Sequence, residues 1–143
     1  MTALSDEEAM AQVVEAARHI VRAAALHEVT GGFVFESCND QGAPPFRGRV
    51  GMSFRLAAGV EPEEQFSQIA AAMVREGWGE GPPSGKCPFG AAVHTDKVMA
   101  VICRASADVS RGSVQVVGEC RNVSDHRYDG KTVGVDISEQ LSG

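Results

Sequence analysis

The chain has 143 residues, 43% of them hydrophobic and 22% charged, with a formal net charge of −6. Those proportions are those of a globular chain and exclude a disordered or membrane-embedded one. The 13 Lys and Arg are scattered without a run of three, whereas nucleic acid and anionic membrane surfaces call for clustered cations, so neither is an expected partner.

Ser5-Asp6-Glu7-Glu8 has the pattern of a capping box, in which Ser5 accepts from a first-turn amide and Glu8 reaches back. Beyond it, Met10, Val13, Val14, Ala17, Ile20, Val21 and Ala24 follow the spacing of one helical stripe. Glu15, Arg18, His19 and Arg22 fall on the opposite face. They also interrupt the longest helix-like stretch, Ala9 to Leu26, so no transmembrane segment is expected. Gly31-Gly32 reads as the end of this helical region, and Phe33 to Ser37 as a short strand. Asn39 to Gly48, with Pro44-Pro45, reads as a loop. From Arg49 to Leu56 the chain alternates, with Val50, Met52, Phe54 and Leu56 on one side and Arg49, Gly51, Ser53 and Arg55 on the other. That is the signature of a half-buried antiparallel strand.

Pro62 suits the first position of a second helix, Glu63 and Glu64 complement its dipole, and Gly77 suits its exit. Phe66, Ile69, Ala70 and Met73 form its buried stripe, with Trp78 as an anchor behind it. Gly79 to Pro88 reads as a loop. Four further runs read as strands: Phe89 to His94, Lys97 to Ala105, Ser113 to Asn122 and Thr132 to Ile137. The expected fold is a single α+β domain over residues 1–143. Its order is α-β-β-α-β-β-β(-β), a mostly antiparallel sheet of five to six strands with two helices on one face.

Candidate chemistry is sparse. Gly77-Trp78-Gly79-Glu80-Gly81 contains G-x-G-x-G, but a helix precedes it and no strand-to-helix turn follows, so it lacks the context of a dinucleotide site. The cysteines Cys38, Cys87, Cys103 and Cys120 lie 49, 16 and 17 residues apart, with no short pair of the kind a zinc site uses. Cys87 and His94 are the first pair to inspect for thiol catalysis. No catalytic, cofactor or metal residues are assigned, and the chain reads as a non-enzyme. Asp125, His126, Arg127 and Asp129 gather in a polar stretch ending at Gly130, which reads first as a solvated turn. The alternative is a small recognition site at one end of the sheet.

An even number of cysteines suits either a reduced protein or two bridges in an exported one. Four cysteines allow three pairings. If Phe89 to His94 and Lys97 to Ala105 form a hairpin with a two- or three-residue turn, Cys87 and Cys103 sit within one residue of cross-strand register. That leaves Cys38 for Cys120.

The segment Glu36-Ser37-Cys38-Asn39-Asp40-Gln41-Gly42 with Pro44-Pro45-Phe46-Arg47-Gly48 resembles a recurring pattern in small actinobacterial proteins. So do Gly77-Trp78 with Gly81-Pro82-Pro83, and Gly118-Glu119-Cys120-Arg121-Asn122 with Asp125-His126. Together they are similar to mycobacterial lipoproteins and secreted proteins of unknown function, over nearly the whole chain from Ser5. The resemblance implies export, often with a lipid on a cysteine preceding the mature domain, and no catalytic residue. No lipobox occurs in this sequence, and Met1 to Asp6 has no basic n-region.

The expected function is therefore a non-enzymatic envelope or secreted domain, its signal preceding Met1, that binds a small molecule, lipid or partner protein. Arg49, Arg55, Asp125, His126 and Arg127 are its candidate recognition residues, with Ser53 beside an open Gly51. The alternative is a small cytosolic regulatory or chaperone-like partner protein with reduced cysteines.

Overall fold

The computed structural model describes residues 2–81, 90–105 and 108–142. Helix α1 runs Asp6–Ala23, β1 Thr30–Ser37, β2 Phe46–Arg55 and α2 Pro62–Arg75. They are followed by β3 Gly79–Gly81, β4 Ala91–His94, β5 Met99–Arg104, β6 Arg111–Val117, β7 Val135–Asp136 and α3 Ser138–Ser142. The strands form one antiparallel sheet in the order β3-β4-β5-β6-β2-β1-β7. The α+β class, the antiparallel sheet and the elements α1, β1, β2, α2, β4, β5 and β6 follow the expected course. Strand β7 falls within the expected last run, Thr132 to Ile137, and the short strand β3 and the one-turn helix α3 add to it.

Alternation settles which face is core. Phe33 and Phe35 of β1, Val50, Met52 and Phe54 of β2, Val114 and Val116 of β6, and Ala100 and Ile102 of β5 are buried and opposed in register. Helices α1 and α2 lie over this side, through Val13, Ala17 and Ile20 and through Phe66, Ile69 and Met73. Both halves of the capping box form: Glu8 N donates to Ser5 Oγ at 3.1 Å, and Ser5 N donates to Glu8 Oε1 at 2.9 Å. In α2 Pro62 occupies the first turn and Gly77 leaves it with φ +98°. Trp78 is buried as expected.

Three local expectations are corrected. Helix α1 ends at Ala23, with Ala25 at φ 52°, and Gly31-Gly32 belong to β1. A side chain at 31 would collide with the Gly51 carbonyl and Met52 and with Leu141 of α3, so glycine serves close packing here rather than helix termination. Strand β2 begins at Phe46, inside the expected loop, because Phe46 bridges to Asn122, and Gly48 admits the backbone of α1 at Ala9. The β4–β5 hairpin pairs His94 with Met99, so its connection is the four residues Thr95 to Val98, and Thr95 Oγ1 accepts from the amides of Lys97 and Val98. The cross-strand placement expected for Cys87 and Cys103 falls outside the described residues, because Cys87 does.

The polar open face and the buried polar cluster are both positioned by this frame. Cys38, just beyond β1, is bonded to Cys120, beyond β6, with Cα atoms 6.1 Å apart. The pairing expected for these two residues is present. Cys87 lies outside the described residues, and Cys103 is disulfide-bonded rather than a free thiol.

Candidate functional site

On the side of the sheet away from the helices, β1, β2 and β6 present Thr30, Val34, Glu36, Arg47, Arg49, Gly51, Ser53, Arg55, Arg111, Ser113 and Gln115. Strand pleating puts these residues there, since each is out of phase with the buried set. Glu36 stands between two arginines: Arg47 Nε donates to its Oε1 at 2.8 Å, and Arg49 Nη1 donates to its Oε2 at 2.5 Å. Arg49 also donates through Nε and Nη2 to Gln115 Oε1, at 3.1 and 3.0 Å. Partial burial raises the Glu36 pKa, and the hydrogen bonds from Arg49 and Arg47 outweigh it, so the carboxylate is held below its ordinary range. Gly51 is not open: the Gln115 side chain lies over it, 3.0 Å from where a Cβ would be.

At the other end of β2, Arg55 pairs with Glu28 at 2.9 Å. Arg111, opposite Arg55 in register, donates from Nε to Ser53 Oγ at 3.1 Å and from Nη2 to the Glu28 carbonyl. Of the candidate recognition residues, Arg49 and Arg55 therefore share this face. Glu36, Arg47, Gln115 and Arg111 join them, and sequence reading passed over these four. The period-two pattern of β2, extended back past Gly48 to Arg47, is the signal that could have found one of them.

Asp125, His126 and Arg127 are elsewhere, and their side chains do not form one group. Asp125 and Arg127 pair with each other on the surface, Nη2 to Oδ2 at 2.6 Å. His126 points inward and is 1% exposed. Its ring stacks on Phe35, with centroids 4.0 Å apart and planes at 15°, and meets Phe46 edge-on at 5.0 Å. Nδ1 faces Asp129 Oδ2 at 2.7 Å and Nε2 faces Asn122 Oδ1 at 2.8 Å. Asn122, fully buried, donates from Nδ2 to the Leu4 carbonyl and to Asp6 Oδ1. The Leu4 carbonyl can only accept, which fixes the amide's orientation and leaves Oδ1 for the histidine. Both ring nitrogens thus face oxygen atoms inside the fold.

Asp6 completes this cluster. Burial raises its pKa, but hydrogen bonds from Asn122, Lys131 and Ser124 and the nearby His126 bring it down to about 2. Lys131 Nζ lies 3.0 Å from Asp6 Oδ2. Beside them is a cavity of about 310 Å³ lined by Met10, Phe33, Phe35 and Val135. Among the described residues, no three or more His, Cys, Asp or Glu are grouped to hold a metal ion, and no helix is long and apolar enough to cross a membrane. Cys87 of the inspected Cys87–His94 pair lies outside the described residues. His94 rests over Gly79, where a Cβ would sit 2.6 Å from its ring.

Fold and site together define a disulfide-stapled α+β domain with a layer of helices on one side of the sheet and an arginine-bearing polar face on the other. The family model described as "Putative lipoprotein LppJ" matches residues 5–140, and the chain belongs to that family. Relatives of the same description in Mycobacterium tuberculosis and Mycobacterium bovis are each 45% identical to it over 138 residues, 96% of this chain and 71% of theirs. The resemblance read from the Cys38, Gly77 and Cys120 segments is thereby shown. No solved structure matches the chain.

Proposed function

We propose that this chain is a non-enzymatic domain of the extracytoplasmic cell envelope that works by binding a partner through the open face of its sheet. The observation that carries the reading is the Cys38–Cys120 bond. Such bonds persist in oxidising compartments and are rare where thiols are kept reduced. Membership of a family described as lipoproteins supports the same location. The binding role is supported by the contrast between the two polar regions: His126 and Asn122 are buried and fully engaged, whereas the arginines of the sheet face remain accessible. The bond also weighs against a cytosolic partner protein with reduced cysteines.

The location is tested on the full-length native protein in its own cells, acid-quenched, alkylated and fractionated. The expected result is an envelope or culture-fluid protein whose Cys38 and Cys120 resist alkylation until reductant is added. A cytosolic protein with both thiols labelled overturns the reading. A second reading, that a small apolar molecule is the ligand, is favoured by the 310 Å³ cavity at Phe33 and Phe35, a volume at the low end for ligand pockets. Met10→Trp narrows that cavity, and loss of ligand from the native protein on this substitution would move the assignment there.

A further inference from the structure

We infer that the open face of β1, β2 and β6 is a two-anchor docking surface for an acidic, extended segment of a partner protein. The inference rests on the binding reading above and specifies its partner. Four arginines, Arg47, Arg49, Arg55 and Arg111, stand here against two glutamates, Glu36 and Glu28 at the rim. The face is therefore +2 on a chain of −6, so everything else carries −8. Asp136 of the edge strand β7, opposite Gly32, stands at the border of the same face and accepts from Ser138, so with it included the face carries +1.

The arginines are grouped. Arg47 and Arg49 flank Glu36 at one end, and Arg55 and Arg111 meet Glu28 at the other. Each group has a net charge of +1. Arg49 and Arg55 are six residues apart on one strand, which at about 3.4 Å per residue separates the anchors by about 20 Å. Between them the surface is small and uncharged, formed by Gly51, Ser53, Ser113 and Gln115.

Each guanidinium has five N–H donors in a rigid fork suited to carboxylates. The bonds to Glu36, Gln115, Ser53 and Glu28 hold the forks in place without using all of them. Among the described residues, Nη1 of Arg47 and Nη1 of Arg111 make no hydrogen bond. A guanidinium held this way loses less side-chain freedom when a carboxylate arrives. Two sparse anchors with an uncharged middle suit a segment whose acids are spaced along an extended backbone. A phosphate polymer or anionic bilayer is better met by a dense cationic patch.

The test uses the oxidised protein and two synthetic peptides of identical composition, with two glutamates either six positions apart or adjacent. Binding is followed by NMR at the arginine Nε–Hε groups. The spaced peptide is expected to move signals from both anchors and to bind about threefold more tightly than the adjacent one, the increment of a second exposed ion contact. Arg55→Gln is expected to abolish that preference while leaving the amide spectrum of the core unchanged. Equal affinity for the two peptides, movement at one anchor alone, no movement with either, or tighter binding to phosphatidylglycerol vesicles than to the spaced peptide would each overturn the proposal. Any of these from a protein that is oxidised and envelope-located leaves the location reading standing, so the two failures are distinguishable.

Discussion

The His126 cluster and the open sheet face use the same kinds of side chain to opposite ends. Around His126, the side chains of Asn122, Asp6 and Asp129 are held in one hydrogen-bonded group inside an aromatic wall, and the residues come from both ends of the chain. Such a cluster holds Leu4 and the start of α1 against the segment that follows β6. On the sheet face the charges stand at the surface with donors left over. Burial with saturation makes a brace, whereas accessible charges with donors left over are what the proposed binding role rests on.

Breaking the frame shared by both regions gives the largest expected effect. Phe54 has no exposed surface and fills the space over Gly112, so Phe54→Ala should lower the unfolding free energy by about 3–5 kcal/mol in chemical denaturation. Breaking the brace comes next. Asn122→Ala leaves the Leu4 carbonyl and the His126 Nε2 without their partner in a buried site, and should cost about 3 kcal/mol by the same measurement. An effect below about 1 kcal/mol would mean that the cluster is not the brace described.

The brace also has a pH signature. Because the Asp6 pKa is depressed to about 2 from its ordinary 3.8, its contribution is fully present above about pH 4. It is lost as the pH falls through about 2. The unfolding free energy of Asp6→Asn should accordingly fall less steeply than that of the native protein across that window. The remaining slope comes from carboxylates such as Glu36 and Asp129, which are also held low by their partners. The smallest effect is expected on the open face: Arg55→Ala, exposed and paired only with Glu28, should cost less than about 1 kcal/mol. Comparable losses for Phe54→Ala and Arg55→Ala would mean that the two sides of β2 are assigned the wrong way round.

What the sequence made legible follows from how local the physics is. The capping box at Ser5, the exit of α2 at Gly77 and the alternation of Val50, Met52 and Phe54 are decided within a few residues, and each appears as read. The role of Gly31 is set by Leu141, more than a hundred residues away, and so the Gly31-Gly32 pair read as a terminator. Strand β3 has three residues, two of them glycine, and offers no apolar pattern; His94 pairing across it is what makes it a strand. Arg49 and Arg55 were legible as the solvent side of an alternating strand. Glu36 and Gln115 come from neighbouring strands whose register is visible only in the folded sheet. His126 looked like part of a solvated turn because Asp125 and Arg127 beside it are surface residues; its aromatic wall, Phe35 and Phe46, lies far back in the chain. The hairpin offered two- and three-residue turns, and the Thr95 hydroxyl organised a longer one.

The central claim is that a long-range bridge staples the end of the domain where Cys38 and Cys120 meet and marks it as a protein of an oxidising compartment. By the chain-entropy model a loop closed over a separation of 82 residues contributes about 4 kcal/mol. The most direct measurement is non-reducing peptide mapping of protein isolated from its native host after acid quenching. The account predicts a linked peptide pair containing Cys38 and Cys120 that separates on reduction, whereas recovery of both as alkylated single peptides without reductant would contradict it.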